Sequence, residues 1–140
     1  MSDEPTTSDL VALVRRSFES AGIRDFDALM SFYAPDAVWD LSPMGLGVYE
    51  GTAAIRGFYE DWMGNYDEFA VGADEIVDLG SGVAFAVFLQ DARPMGGRGH
   101  VQIRYGSVSV WTDGLAVRIT NYGDIDEARA AAERLAQERG

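Results

Sequence analysis

"YAPDAVWDL" spans Tyr33–Leu41. Pro35 stops the helical spacing that precedes it. Ala37, Val38 and Trp39 then read as a strand that ends on the carboxylate of Asp40. "LSPMGLG" follows, a loop rich in Gly and Pro. Two questions come from this stretch. One is which fold begins with a short helix, a proline stop and a strand that ends in Trp-Asp. The other is whether Asp40 is an acid or base in an apolar pocket, or a polar residue where a strand meets water.

Upstream, Leu10, Leu13, Val14, Phe18 and Ala21 recur at helical spacing, with Ser8 as the cap and Gly22 as the stop. Asp25 can cap a second short helix with Phe26, Leu29, Met30 and Tyr33 on one face, closed by Pro35. Downstream, Val48–Glu50 reads as a second short strand. Gly51-Thr52 opens a third helix, with Thr52 as cap and Ile55, Phe58, Tyr59 and Trp62 on one stripe, ended by Gly64 or Asn65. Gly57 within it costs about 1 kcal/mol relative to Ala and suggests close packing against a neighbour.

The second half changes period. Phe69–Leu79, Val83–Gln90, His100–Trp111 and Leu115–Tyr122 read as strands joined by the tight-turn signals "GSG" and "TDG" and by the longer loop "ARPMGGRG". "VAFAVFL" is apolar at consecutive positions, so its strand is expected to be covered on both faces. Asp124, with Glu127 placed for a capping box, starts a last helix whose narrow stripe is Ile125, Ala128, Ala132 and Leu135. Helices, then an antiparallel meander, then a helix describe an α+β domain with helices gathered on one face of a curved sheet.

The bulk numbers agree with one domain over 1–140, with residues 1–7 expected as a disordered tail. The chain has 140 residues, 47% of them hydrophobic and 24% charged. It has no Cys, so disulfide and zinc-thiolate chemistry are excluded. Its eleven cations are all Arg, and its net charge is −12. That balance disfavours nucleic acid and anionic lipid as partners. Without Lys there is neither a P-loop nor a Schiff base. No apolar run approaches the roughly 20 residues of a membrane helix, and the polar start is unlike a signal peptide. The expected location is cytoplasmic. One His and scattered carboxylates do not give a metal-ligand spacing.

"FYAPDAVWDL", "YEGTAAIRGFYEDW" and "VSVWTDGLAVRITNYGD", in this order of elements, resemble the nuclear transport factor 2-like superfamily, in its SnoaL-like and ketosteroid-isomerase-like branch. The resemblance covers about residues 8–126. It implies a cone, in which a curved antiparallel sheet wraps around the N-terminal helices and leaves an apolar pocket open at one end. It also implies a homodimer through the outer sheet face, a small apolar ligand and no cofactor. Ketosteroid isomerases need an Asp base, an oxyanion-hole Tyr and a protonated oxyanion-hole Asp. Asp40 matches the base if the loop after it is one residue longer; otherwise Leu41 does. The Tyr position falls near Ser17 and Phe18, and the protonated Asp falls near Ser107. A standard steroid isomerase is therefore not expected. Limonene-epoxide-hydrolase-like members need an Asp–Arg–Asp cluster, for which Asp40, Arg104 or Arg118, and Asp91 or Asp113 supply the residue types.

Two readings follow. In the first the protein is a cofactor-free isomerase, cyclase or lyase acting on an apolar carbonyl compound. Asp40 is its general base, Tyr105, Tyr122 or Arg118 polarises the carbonyl, and His100 is a further candidate acid or base. In the second it is a non-catalytic ligand-binding or dimerisation module of the same fold. In both, Trp39, Tyr33, Phe58, Tyr59, Trp62, Ser107 and Asn121 are the candidate ligand contacts.

Overall fold

Helix α1 (Thr7–Gly22) and the short α2 (Phe26–Met30) lead into strand β1 (Tyr33–Asp40). A one-turn 3-10 helix, Ser42–Met44, precedes β2 (Val48–Glu50) and α3 (Thr52–Met63). Four strands follow: β3 (Tyr66–Gly80), β4 (Val83–Pro94), β5 (Val101–Thr112) and β6 (Leu115–Tyr122). Helix α4 (Ile125–Arg139) closes the chain. The structure, a computed structural model, describes residues 7–140, with side chains from residue 9. The expected tail falls outside the described residues apart from Thr7, where α1 begins, so Ser8 is a residue within the helix and not its cap.

The six strands form one curved, unclosed sheet in the order β2-β1-β6-β5-β4-β3. Every neighbouring pair is antiparallel except β1 and β6, which run parallel. The turns read from sequence are tight. Ser81 and Asp113 take positive φ between or beside glycines that do the same, which is the hairpin geometry those residue types favour.

Pro35 does not end α2. That helix stops at Met30 and is capped by Ser31, and Pro35 lies inside β1. The ladder between β1 and β6 is interrupted between Tyr33 and Val38, so a residue without an N–H costs no sheet bond there. Tyr33, expected on a helix face, is thus a strand residue. Two smaller expectations also change. Gly51 rather than Thr52 is the N-cap of α3. Gly57 has no neighbour that a Cβ would meet within 4 Å, so close packing is not its role.

Alternation along β4 separates two cores. Ala84, Ala86 and Phe88 face the concave side with α1 and α3. Val83, Phe85 and Val87 face the convex side under α4. Residues Val83–Phe88 are all buried, as the unbroken apolar run required. The helices are consequently not all on one face. Small residues let α4 approach the sheet: Ala128 and Ala132 are fully buried, and a Cβ on Gly106 would lie 2.6 Å from the Ala128 Cβ. Arg129 adds a two-pronged ion pair with Glu75 (2.9 and 3.2 Å) and lies over the Phe85 ring.

Candidate functional site

The concave core is not filled to its end. A cavity of about 970 Å³, its open mouth included, lies between α1, α3 and the inner face of the sheet. Its wall includes Val14, Ser17 and Phe18 from α1, Phe58, Tyr59 and Trp62 from α3, and alternate residues of the strands. From β4 these are Ala86, Phe88 and Gln90, from β5 Tyr105, Ser107, Ser109 and Trp111, and from β6 Ile119 and Asn121. All three tryptophans of the chain line it. Among the described residues the wall carries no carboxylate, imidazole or guanidinium.

The cavity's polar groups are hydroxyls, amides and indoles. The Tyr33 and Tyr59 hydroxyls share a hydrogen bond of 3.2 Å. Burial pushes the Tyr33 phenol up to about 12, a little restrained by that bond. Burial raises Tyr59 well above the usual phenol range, and the neighbouring Tyr33 adds to this. Burial raises Tyr105 as well. All three phenols are thus neutral hydrogen-bonding groups at physiological pH. Ser17 Oγ donates to the Val14 carbonyl (2.7 Å), and Trp111 Nε1 donates to Ser109 Oγ (2.8 Å). Trp39 Nε1, Gln90 Nε2 and Asn121 Oδ1 are buried and have no partner among the described residues. Each such orphan costs about 1–3 kcal/mol, so three in one wall is a marked departure from ordinary packing.

Aromatic contacts hold the wall in place. Trp39 stacks on Tyr59 (4.5 Å between centroids) and meets Phe58 edge-on (5.3 Å). Phe88 touches Phe18 at 3.7 Å and Tyr105 at 5.4 Å. Such pairs contribute about 0.5–1.5 kcal/mol each beyond area burial.

The residues expected at the site divide between the two faces. Tyr33, Trp39, Phe58, Tyr59, Trp62, Tyr105, Ser107 and Asn121 come together around the cavity. Asp40 does not. Trp39 and Leu41 point inward, so alternation turns Asp40 outward. There its Oδ1 accepts from the Ser42 amide (2.9 Å) and hydroxyl, and its Oδ2 accepts from Arg118 Nη2 (2.9 Å). The Ser42 hydroxyl, with help from the Ser42 amide and Arg118 and against partial burial, holds its carboxyl below the usual range. The cavity position is Leu41. Arg118 and Tyr122 lie along a groove on the convex side with α4 residues. His100 sits in the loop before β5, with Nδ1 2.7 Å from Asp91 Oδ1. Nor do the Asp–Arg–Asp candidates assemble: Arg104 pairs with Asp74, Asp91 with His100, and Asp113 is a turn residue.

Gln90, Leu41, Phe88 and Trp111 are cavity residues that the sequence reading did not select. Gln90 was findable: it is the polar end of the inward series Ala86, Phe88, Gln90 in an otherwise apolar strand.

The pattern of the SnoaL-like domain matches residues 14–119. The chain belongs to the SnoaL-like domain family. No curated protein matches it. Among solved structures it is similar to an NTF2-like protein of unknown function from Burkholderia pseudomallei (TM-score 0.71, 23% identity, 88% of this chain and 96% of that one). It is also similar to an LEH-like epoxide hydrolase from M. tuberculosis (TM-score 0.72, 18% identity, 93% of both chains). A third similar structure is TerC co-crystallised with polyporic acid (TM-score 0.71, 17% identity, 89% and 98%). At these identities the likeness is one of fold. SnoaL-like domains share that fold with ketosteroid isomerases and polyketide cyclases. Among the described residues no helix is long and apolar enough to cross a membrane.

Proposed function

We propose that this SnoaL-like domain binds a neutral, mainly apolar small molecule in the concave cavity, and that it does so without Asp40. The observation that carries this reading is the wall itself: aromatic and aliphatic over most of its area, polar at a few buried points, and free of charged groups among the described residues. A buried unpaired charge costs several kcal/mol, so such a wall selects against ions. Of the two residues that the resemblance offers for the isomerase base, Asp40 and Leu41, it is Leu41 that lines the cavity, and Ser17, Phe18 and Ser107, at the other two isomerase positions, are neither acids nor phenols. This supports ligand binding over base-catalysed isomerisation. A homodimer remains part of the proposal. Because α4 covers the convex side of β4 and β5, the contact would use the sheet surface it leaves open.

Decanol, decanoate and decylammonium share one chain length and absorb no light where tryptophan does. Titrated against tryptophan emission at pH 7, decanol should give a saturable change. Both ions should bind at least a hundredfold more weakly, a difference of about 2.7 kcal/mol. Testing both signs matters, because the net charge of −12 alone would repel the anion and attract the cation. Decylammonium or decanoate binding as tightly as decanol would sink the reading.

A further inference from the structure

We infer that the ligand is elongated and carries a hydrogen-bonding group at each end, with an apolar middle. The inference rests on the cavity being the ligand site. Its basis is where the three unpartnered groups sit. Gln90 is opposite Ile103 on β5, and Asn121 is opposite Ser107 on the same strand. Those β5 positions are four residues apart, or about 13 Å at ~3.3 Å per residue. β4 and β6 flank β5, which adds roughly 10 Å sideways between their backbones. Side chains converge on a concave surface, so the span between their ends is shorter.

Trp39 belongs with Asn121. It pairs with Ile119, two residues before Asn121 on the same face of β6. One end of the cavity therefore presents an indole N–H and an amide, and the other presents the Gln90 amide. The three residues are 5–7% exposed, and the atoms named are buried and unpaired among the described residues. Between the two ends lie Phe88 and Tyr105, which pair across β4 and β5, with Phe18 against Phe88.

The terminal torsion of an amide side chain is soft, so Gln90 and Asn121 can each turn a donor or an acceptor to the ligand. Trp39 Nε1 only donates. A hydroxyl or a carbonyl satisfies it, and a hydroxyl also answers either end of the amides. The ligand class is thus a neutral molecule with a hydroxyl or carbonyl at both extremities of an apolar body.

The test compares decanediol, with one hydroxyl at each end, against decanol, read by tryptophan emission. A cavity without polar ends prefers decanol, because the second hydroxyl would be desolvated without a partner. A two-ended cavity reverses that order, with decanediol binding at least tenfold tighter. Gln90→Leu and Asn121→Leu should each restore the preference for decanol over decanediol. Thermal unfolding verifies that each variant folds, and the wild-type comparison decides the matter if one does not. Tighter binding of decanol by the wild-type chain overturns the two-ended ligand and leaves the apolar cavity standing. A preference for decanediol that survives both substitutions overturns the assignment of these amides. If neither alcohol perturbs the tryptophans, this inference and the ligand-site reading fall together.

Discussion

Asp40→Asn separates the two roles that the first strand's carboxylate could play. In the structure Asp40 ties the end of β1 to the turn at Ser42 and to Arg118 on β6. Asn keeps one acceptor oxygen for Ser42 and loses the charge. Hydrogen bonds to a charged acceptor are worth about 1.5–3 kcal/mol when buried, but this site is only partly covered. The Arg118 side chain is 50% exposed, so that pair contributes at most about 1 kcal/mol. The expected loss is therefore about 1–1.5 kcal/mol, measured as the shift in urea midpoint at pH 7. The pH dependence has a definite sign. The folded-state pKa of Asp40 lies below its unfolded value, so its contribution is present above the unfolded value near 4 and fades as pH falls through the folded value. The gap between wild type and Asp40→Asn should narrow in acid. Decanol affinity should stay within twofold. Unchanged stability together with lost ligand binding or lost turnover would refute the outward placement of Asp40 and reinstate it as a cavity base.

Two further outcomes follow from the packing. Gly106→Ala puts a Cβ 2.6 Å from that of Ala128 and should cost about 1–3 kcal/mol by pushing α4 off β5, read as a lower thermal midpoint; an unchanged midpoint would mean α4 is not seated there. The buried phenols should make the fold alkali-sensitive. Their folded pKa values are raised, with Tyr33 at about 12, so above pH ~10 the unfolded chain loses protons that the folded chain keeps, and stability falls as pH rises. Absorbance of ionised tyrosine should then appear in two phases, the later one coinciding with unfolding.

Much of the fold was readable because the signals were local. The inward and outward alternation of "VAFAVFL", the glycines of "GSG" and "TDG", and the alanine stripe of the last helix each act within a few residues. Pro35 was misread because a proline ends a helix and interrupts a strand equally well; the break in pairing between β1 and β6 that makes room for it is a tertiary fact. The position of α4 was hidden for a similar reason, since covered on both faces does not say by which helix. The candidate site was half legible. Aromatic residues with helical or alternating spacing fell on the cavity as expected. The choice between Asp40 and Leu41 depended on one residue of register, and a shift of one residue exchanges the faces of a strand.

The central claim is that ligand occupies the concave cavity, and Ala86→Leu tests it most directly. Ala86 is 3% exposed and lies in the cavity wall beside Ser107 on β5. A leucine there takes up ligand space rather than removing a contact. Decanol titrated against tryptophan emission should bind at least tenfold more weakly to the folded variant than to wild type. Undiminished affinity in a variant that retains the wild-type fold would place the ligand outside the cavity and contradict the account.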